Sequence, residues 1–350
     1  MKVKQIFLLL WSASLLFLSC SEKELCCDNP QADYSKGVFV VNEGPFGGTG
    51  TISWHNPDTG ETQDSLFEKA NDGAVLGQFV QSLTFHNDKA YIVVNGANRV
   101  VVVDSKSFMF IDTIGGLEQP RFFLPLDNNT AYISQWGSDG LTGSVAKVNL
   151  NSNEVLTTIL TGHGPEKMVR IGDKVYVANS GGYGKDSTLT EILISNDSPQ
   201  ILALPSGINP STLVYSNQKL YYLCKGFYLD TDPKGFLNFV NGGQGVATPA
   251  FSDDLLVDEN TGEMYFLGGN TIFKANPGPQ GPELIAWLPP SISGLRSPYG
   301  LAFDKDQNLV YCADAKDYST AGTVYVFKTD GTKMGSFRTG VLPGEIVIVK

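Results

Sequence analysis

The sequence predicts an all-β fold, a seven-bladed β-propeller of four-stranded blades whose ring is closed by the C-terminal strand. Three observations lead there. A strand opening on an aromatic or apolar residue recurs seven times, at Val38, Tyr91, Tyr132, Tyr176, Tyr221, Tyr265 and Tyr311. After a first interval of 53 residues the spacings are 41, 44, 45, 44 and 46, the period of a propeller blade. The 38 glycines and 18 prolines punctuate the chain at intervals, as short strands joined by tight turns require.

Each repeat carries the same parts in the same order. A polar turn precedes the aromatic strand, as in Asn87-Asp88-Lys89, Gly172-Asp173-Lys174 and Asn217-Gln218-Lys219. An apolar or alternating third strand follows, at Val100–Val103, Val145–Leu150, Glu191–Ile194 and Thr323–Phe327. A fourth strand then leads to a proline, at 120, 165, 210, 249 and 298, that opens the next unit. Proline tolerates the start of a strand but not its middle, so its regular place marks a boundary. The copy at Val38 lacks a first strand, and the chain ends in Pro343-Gly344-Glu345-Ile346-Val347-Ile348-Val349, a first strand with nothing after it. The two complete one blade and remove the open edges of the ring.

The first residues read as an address. Lys2 and Lys4 precede a 13-residue apolar run from Ile6 to Leu18, too short to span a bilayer comfortably. The run ends in Leu16-Phe17-Leu18-Ser19-Cys20, which resembles a bacterial lipobox, with Phe17 a departure from the usual aliphatic residue. The resemblance implies a signal peptide over residues 1–19 and lipidation of Cys20. A tether over 20–36 and the propeller over 37–350 follow. Ser21-Glu22-Lys23-Glu24 resembles the acidic export tag of Bacteroidetes surface lipoproteins. The expected location is therefore the outer membrane, held by the lipid alone and facing the cell surface.

Composition narrows the partners. The formal net charge is −11 from 25 basic and 36 acidic residues, and loss of Lys2 and Lys4 with the signal takes it to −13. No Lys/Arg cluster offers a footprint for phosphates, so nucleic acid is not an expected partner. Cys26 and Cys27 are adjacent in the tether, where a vicinal bridge is strained. Cys224 and Cys312 lie in apolar strands and read as small buried hydrophobes. The three histidines, His55, His86 and His163, fall on different parts of a blade, and no His-Glu-x-x-His or Gly-x-Ser-x-Gly pattern occurs, so no catalytic residue, metal site or required cofactor is expected.

Propeller geometry selects the candidate site. Loops before the first strands and after the second strands share one rim of the central channel. Those loops place Asn42, Glu43, Phe46, Asn95, Asn98, Arg121, Trp136 and Asp139 on the rim from the first half of the chain. Asn179, Tyr183, Phe227, Tyr228, Tyr299, Asp314 and Tyr318 follow from the second half. The rim thus reads as aromatics, amides and glycines with few charges, a surface suited to a large organic ligand. The strand-end asparagines Asn42, Asn95 and Asn179 equally suit turns that bond their own backbone. Glu43 and Asp314 are placed to face the channel as paired carboxylates, the one enzyme-like feature.

Phrases such as Lys174-Val175-Tyr176-Val177-Ala178-Asn179 and Arg99-Val100-Val101-Val102-Val103-Asp104 resemble the YVTN-type (YncE-like) propeller family over residues 37–350. With the anchor, the repeat type and the size, the chain is similar to the cobalamin-capturing lipoproteins of the Bacteroidetes outer membrane. That resemblance implies capture of cobalamin or a related corrinoid on one propeller face and delivery to a TonB-dependent transporter. The alternatives are a protein-docking or glycan-binding module of an envelope complex and, third, a lactonase- or lyase-like enzyme.

Overall fold

The computed structural model describes residues 33–231, 234–240, 242–276 and 282–350. The signal segment, Cys20, Cys26, Cys27 and the tether up to Ala32 lie outside the described residues. Seven four-stranded antiparallel sheets form the blades. Their first strands are Val80–His86, Pro120–Pro125, Pro165–Ile171, Pro210–Ser216, Asp253–Val257, Pro298–Asp304 and Pro343–Val349. Each touches the first strand of the next blade, and the last touches Val80–His86, so the ring is closed.

Blades stack face to face, so a central strand is covered on both sides and reads as an unbroken apolar run. Val38–Val41 and Val100–Val103 are buried throughout. The outer strands behave oppositely, and Ser198–Ala203 is mostly exposed. The core therefore lies between blades. Phe39, Trp54, Phe108 and Tyr34 fill the space between blades 1 and 2, with Phe39 and Phe108 stacked at 5.5 Å. Each such side chain contributes about 1.5–3 kcal/mol by leaving water.

Closure follows the expected route. Pro343–Val349 pairs antiparallel with Gly37–Asn42, Val40 opposite Ile346. The long first interval holds a short helix, Leu66–Ala70, that buries Leu66 and Phe67. Asn71 ends it, donating to the Phe67 and Phe108 carbonyls and accepting from the Phe110 N–H. Four of the five marker prolines open their strands. Pro249 does not: the first strand of blade 6 begins at Asp253, and the Pro249 carbonyl instead accepts from Ser252 Oγ in the preceding turn. Cys224 and Cys312 are free and buried, and burial pushes both thiols above their usual range.

Pro120 pairs with Gln135, Pro165 with Asn179 and Pro298 with Asp314. First-strand starts and second-strand ends thus share one rim, and the Asn/Asp/Lys turns occupy the other face. Several of those turns adopt positive φ at Asn87, Asn217 and Asn308, which asparagine tolerates better than most residues.

Candidate ligand-binding site

The channel mouth is built by one local irregularity repeated around the ring. Directly after its opening residue, the first strand slips register against the second, between Val80 and Ser82, Pro120 and Phe123, Pro165 and Met168, and Pro210 and Thr212. Blades 6 and 7 do the same between Asp253 and Leu256 and between Pro298 and Gly300. A bulge of this kind re-aims a side chain out of the ladder. The residue after each opening position lines the mouth: Gln81, Arg121, Glu166, Ser211, Asp254, Tyr299 and, in blade 1, Gly344. They surround a cavity of about 620 Å³.

The cavity wall is charged, which corrects the expectation of a rim with few charges. Arg121 Nε donates to both carboxylate oxygens of Glu166, at 3.1 and 3.2 Å, and its Nη1 donates to Gln81 Oε1. The guanidinium also lies 4.5 Å from the centre of the Trp136 ring. Lys167 pairs with Asp254, and Lys225 with Asp253 at 2.7 Å. Ser211 and Thr212 hydroxyls donate to the same Asp253 oxygen. Burial works against the Lys167 charge, but Asp254, Asp253 and Glu345 outweigh it and hold its pKa above the ordinary value. Burial likewise opposes ionisation of Asp253, and Lys225 and Lys167 overcome it, so this carboxyl sits well below its usual range.

Two carboxyls shift the other way. Burial raises Glu43, with Arg121 and the Tyr299 hydroxyl offsetting part of the effect. Burial also raises Glu345, to about 7, against the pull of Lys167 and of the Leu83 N–H that it accepts at 2.8 Å. Tyr299 donates to Glu43 over long contacts of 3.3 and 3.4 Å.

Of the residues singled out from sequence, Glu43, Arg121, Tyr299 and Tyr318 line the cavity. The exposed rim around it holds Phe46, Tyr183 and Tyr228, at 94, 62 and 63% exposure, with half-buried Phe227 against Tyr228. Trp136 is half-buried beneath Tyr183, ring to ring at 5.6 Å. Asn98 is exposed and accepts from the Gln119 N–H, and Asn95 donates to the Pro120 carbonyl. Asp139 folds back on Leu141 and Thr142 of its own loop.

Three of the expected rim residues frame the mouth without facing it. Asn42 is fully buried and donates to Thr51 and Ser53. Asn179 does the same with Thr188 and Thr190. Asp314 is buried and accepts from the backbone N–H groups of Ser297 and Lys316, so it forms no carboxylate pair with Glu43. The histidines stay apart: His55 stacks on Phe337, His86 meets the Asp127 carbonyl and His163 is exposed on the rim.

Residues 36–200, just under half of the chain and most of blades 1 to 4, match the family described as a domain of unknown function, DUF5074. No curated protein matches. Among solved structures, a quinonprotein alcohol dehydrogenase-like protein from Bacteroides thetaiotaomicron superposes with a TM-score of 0.64 at 16% identity, over 91% of this chain and 79% of that one. A functionally unknown protein from Desulfotomaculum acetoxidans gives 0.62 at 12% identity, over 89% and 98%. Hydrazine synthase from Kuenenia stuttgartiensis gives 0.61 at 13%, over 78% and 92%. At these identities the likeness is one of fold alone.

Proposed function

We propose that the protein is a lipid-anchored surface protein that captures a large organic ligand at the channel mouth, cobalamin or a related corrinoid first among them, and passes it to a TonB-dependent transporter. The observation that carries this reading is the pairing of two surfaces on one face. A polar, hydrogen-bonding cavity is edged by Tyr318 and Phe251, each about half exposed, and a wider ring of exposed aromatics stands outside it. Apolar area fixes a large flat ligand, and convergent polar groups read its periphery. A corrin, apolar in its plane and ringed by amides, has that two-part chemistry.

The attachment of the N-terminal segment supports the same reading. Tyr34 donates its N–H to the Lys106 carbonyl and Lys36 pairs with Asp58, both in turns of the face opposite the mouth. The first described residues are thus held on the far face, away from the mouth.

Calorimetric titration of the full chain in detergent with cyanocobalamin tests the reading. One-to-one binding, weakened at least tenfold by Tyr183→Ala or Tyr318→Ala, is the expected result. Absence of heat rejects corrinoid capture. The glycan alternative draws on the same exposed Tyr183 and Tyr228, and a glycan panel run alongside separates the two.

A further inference from the structure

The ring of seven positions has six side chains and one gap. Gln81, Arg121, Glu166, Ser211, Asp254 and Tyr299 fill their places, whereas blade 1 presents Gly344. A Cβ there would come 3.2 Å from Glu43 Oε1 and 3.5 Å from the Tyr299 ring. The glycine therefore keeps open the space beside the Glu43 carboxyl. Glu43 follows Asn42, the strand end that pairs with Pro343, and Glu345 pairs with Val41. Both carboxyls thus belong to the rim end of blade 1.

The charges of the wall fall into two groups. Arg121, Lys167 and Lys225 are each committed to an acid, Glu166, Asp254 and Asp253 respectively. Arg296, the fourth cation of the wall, is exposed at the lip. Glu43 and Glu345 are left with no ion pair among the described residues. Glu43 has the two long contacts from Tyr299, and Glu345 has one backbone N–H, on Oε2. An ionised carboxylate accepts about four hydrogen bonds, so both retain unused acceptor capacity, and both line the cavity. Burial raises the pKa of each, against the pull of Arg121 on Glu43 and of Lys167 on Glu345.

We propose that the gap at Gly344 is a subsite for a nitrogen donor of the ligand, an ammonium or a carboxamide N–H group, received by Glu43 and Glu345. This rests on capture of a ligand at the mouth and adds which of its groups enters deepest. A cationic or N–H donor favours the ionised form of both carboxyls, and in that form they repel anionic groups.

The test uses the full chain in detergent and two probes, cyanocobalamin for the carboxamide source and spermidine for the ammonium source. Each is titrated calorimetrically into the natural protein and into Gly344→Ala, Glu43→Gln and Glu345→Gln, with melting curves to confirm folding. At least one probe is expected to bind, with affinity falling tenfold or more in Gly344→Ala, which fills the gap, and in whichever Gln variants keep the parent melting temperature. Loss seen with cyanocobalamin assigns a carboxamide. Loss seen only with spermidine keeps the subsite while removing corrinoid capture. Binding of either probe that survives all folded variants, or no binding of both, overturns the subsite.

Discussion

Arg121 holds three groups at once: the Glu166 carboxylate, the Gln81 amide and the Trp136 ring. Glu166 is 3% exposed, so Arg121→Ala leaves a buried carboxylate without its partner, a loss of about 3–5 kcal/mol. Urea denaturation of Arg121→Ala, Glu166→Gln and the double variant checks this, and the double variant is expected to be the more stable of the two that lack Arg121. Glu345 gives a pH signature. Its folded pKa of about 7 stands above the ordinary 4.5, so the folded chain holds a proton that the unfolded chain releases. Stability contributed by this group is therefore full below about pH 4.5, falls as pH rises toward 7, and is level beyond. Glu345→Gln is expected to flatten that part of the melting-temperature profile, and an unchanged slope between pH 5 and 7.5 would count against the burial described for this carboxyl.

At the scale of elements, glycines at positive φ separate turns that only need the conformation from turns that also need the space. Gly172, in a far-face turn, has φ +64 and open surroundings, so Gly172→Ala is expected to cost about 1 kcal/mol in backbone strain. Gly164 has φ +57, and an added Cβ would lie 2.0 Å from the Gly182 backbone nitrogen. Gly164→Ala must move the rim loop after Asn179 and is expected to lose about 3 kcal/mol, measurable as a clearly larger drop in urea midpoint than for Gly172→Ala. Strands of this kind were legible in the sequence because burial on both faces writes them as apolar runs, Val38–Val41 and Val100–Val103 among them. Blade 6 was less legible. Pro249 stands at the expected interval, but the pairing of Asp253 with Leu267 starts the strand four residues later. The helix Leu66–Ala70 left too short a pattern for a helical period to register.

The site, unlike the blades, exists only when the ring closes. Its charged wall is assembled from single residues about 45 positions apart, Arg121, Glu166 and Asp254 among them, so no local window of sequence shows a cluster. Reading the loops one at a time found the exposed aromatics together with Arg121 and Tyr299. Glu166 and Asp254 emerge when the position after each first-strand start is compared around the seven repeats, whereas Lys167, Lys225, Asp253 and Glu345 stand at neighbouring positions that only the closed ring brings to the wall. The strand that completes the comparison is the last one. Pro343–Val349 supplies the first strand of blade 1, brings Gly344 and Glu345 to the mouth, and bonds Glu345 to Leu83 of blade 2. Its removal exposes the edge of Gly37–Asn42, a wholly buried apolar strand, and an open apolar edge is a template for aggregation. Deletion of residues 343–350 is therefore expected to abolish the single cooperative melt and to leave a chain that aggregates. Val347→Pro, which deletes one N–H from the strand that pairs with Phe39, is expected to cost about 3 kcal/mol or more while preserving cooperativity. A deletion variant that still melted in one sharp step near the parent temperature would mean that six blades stand without the seam, and that Pro343–Val349 serves the mouth and not the ring.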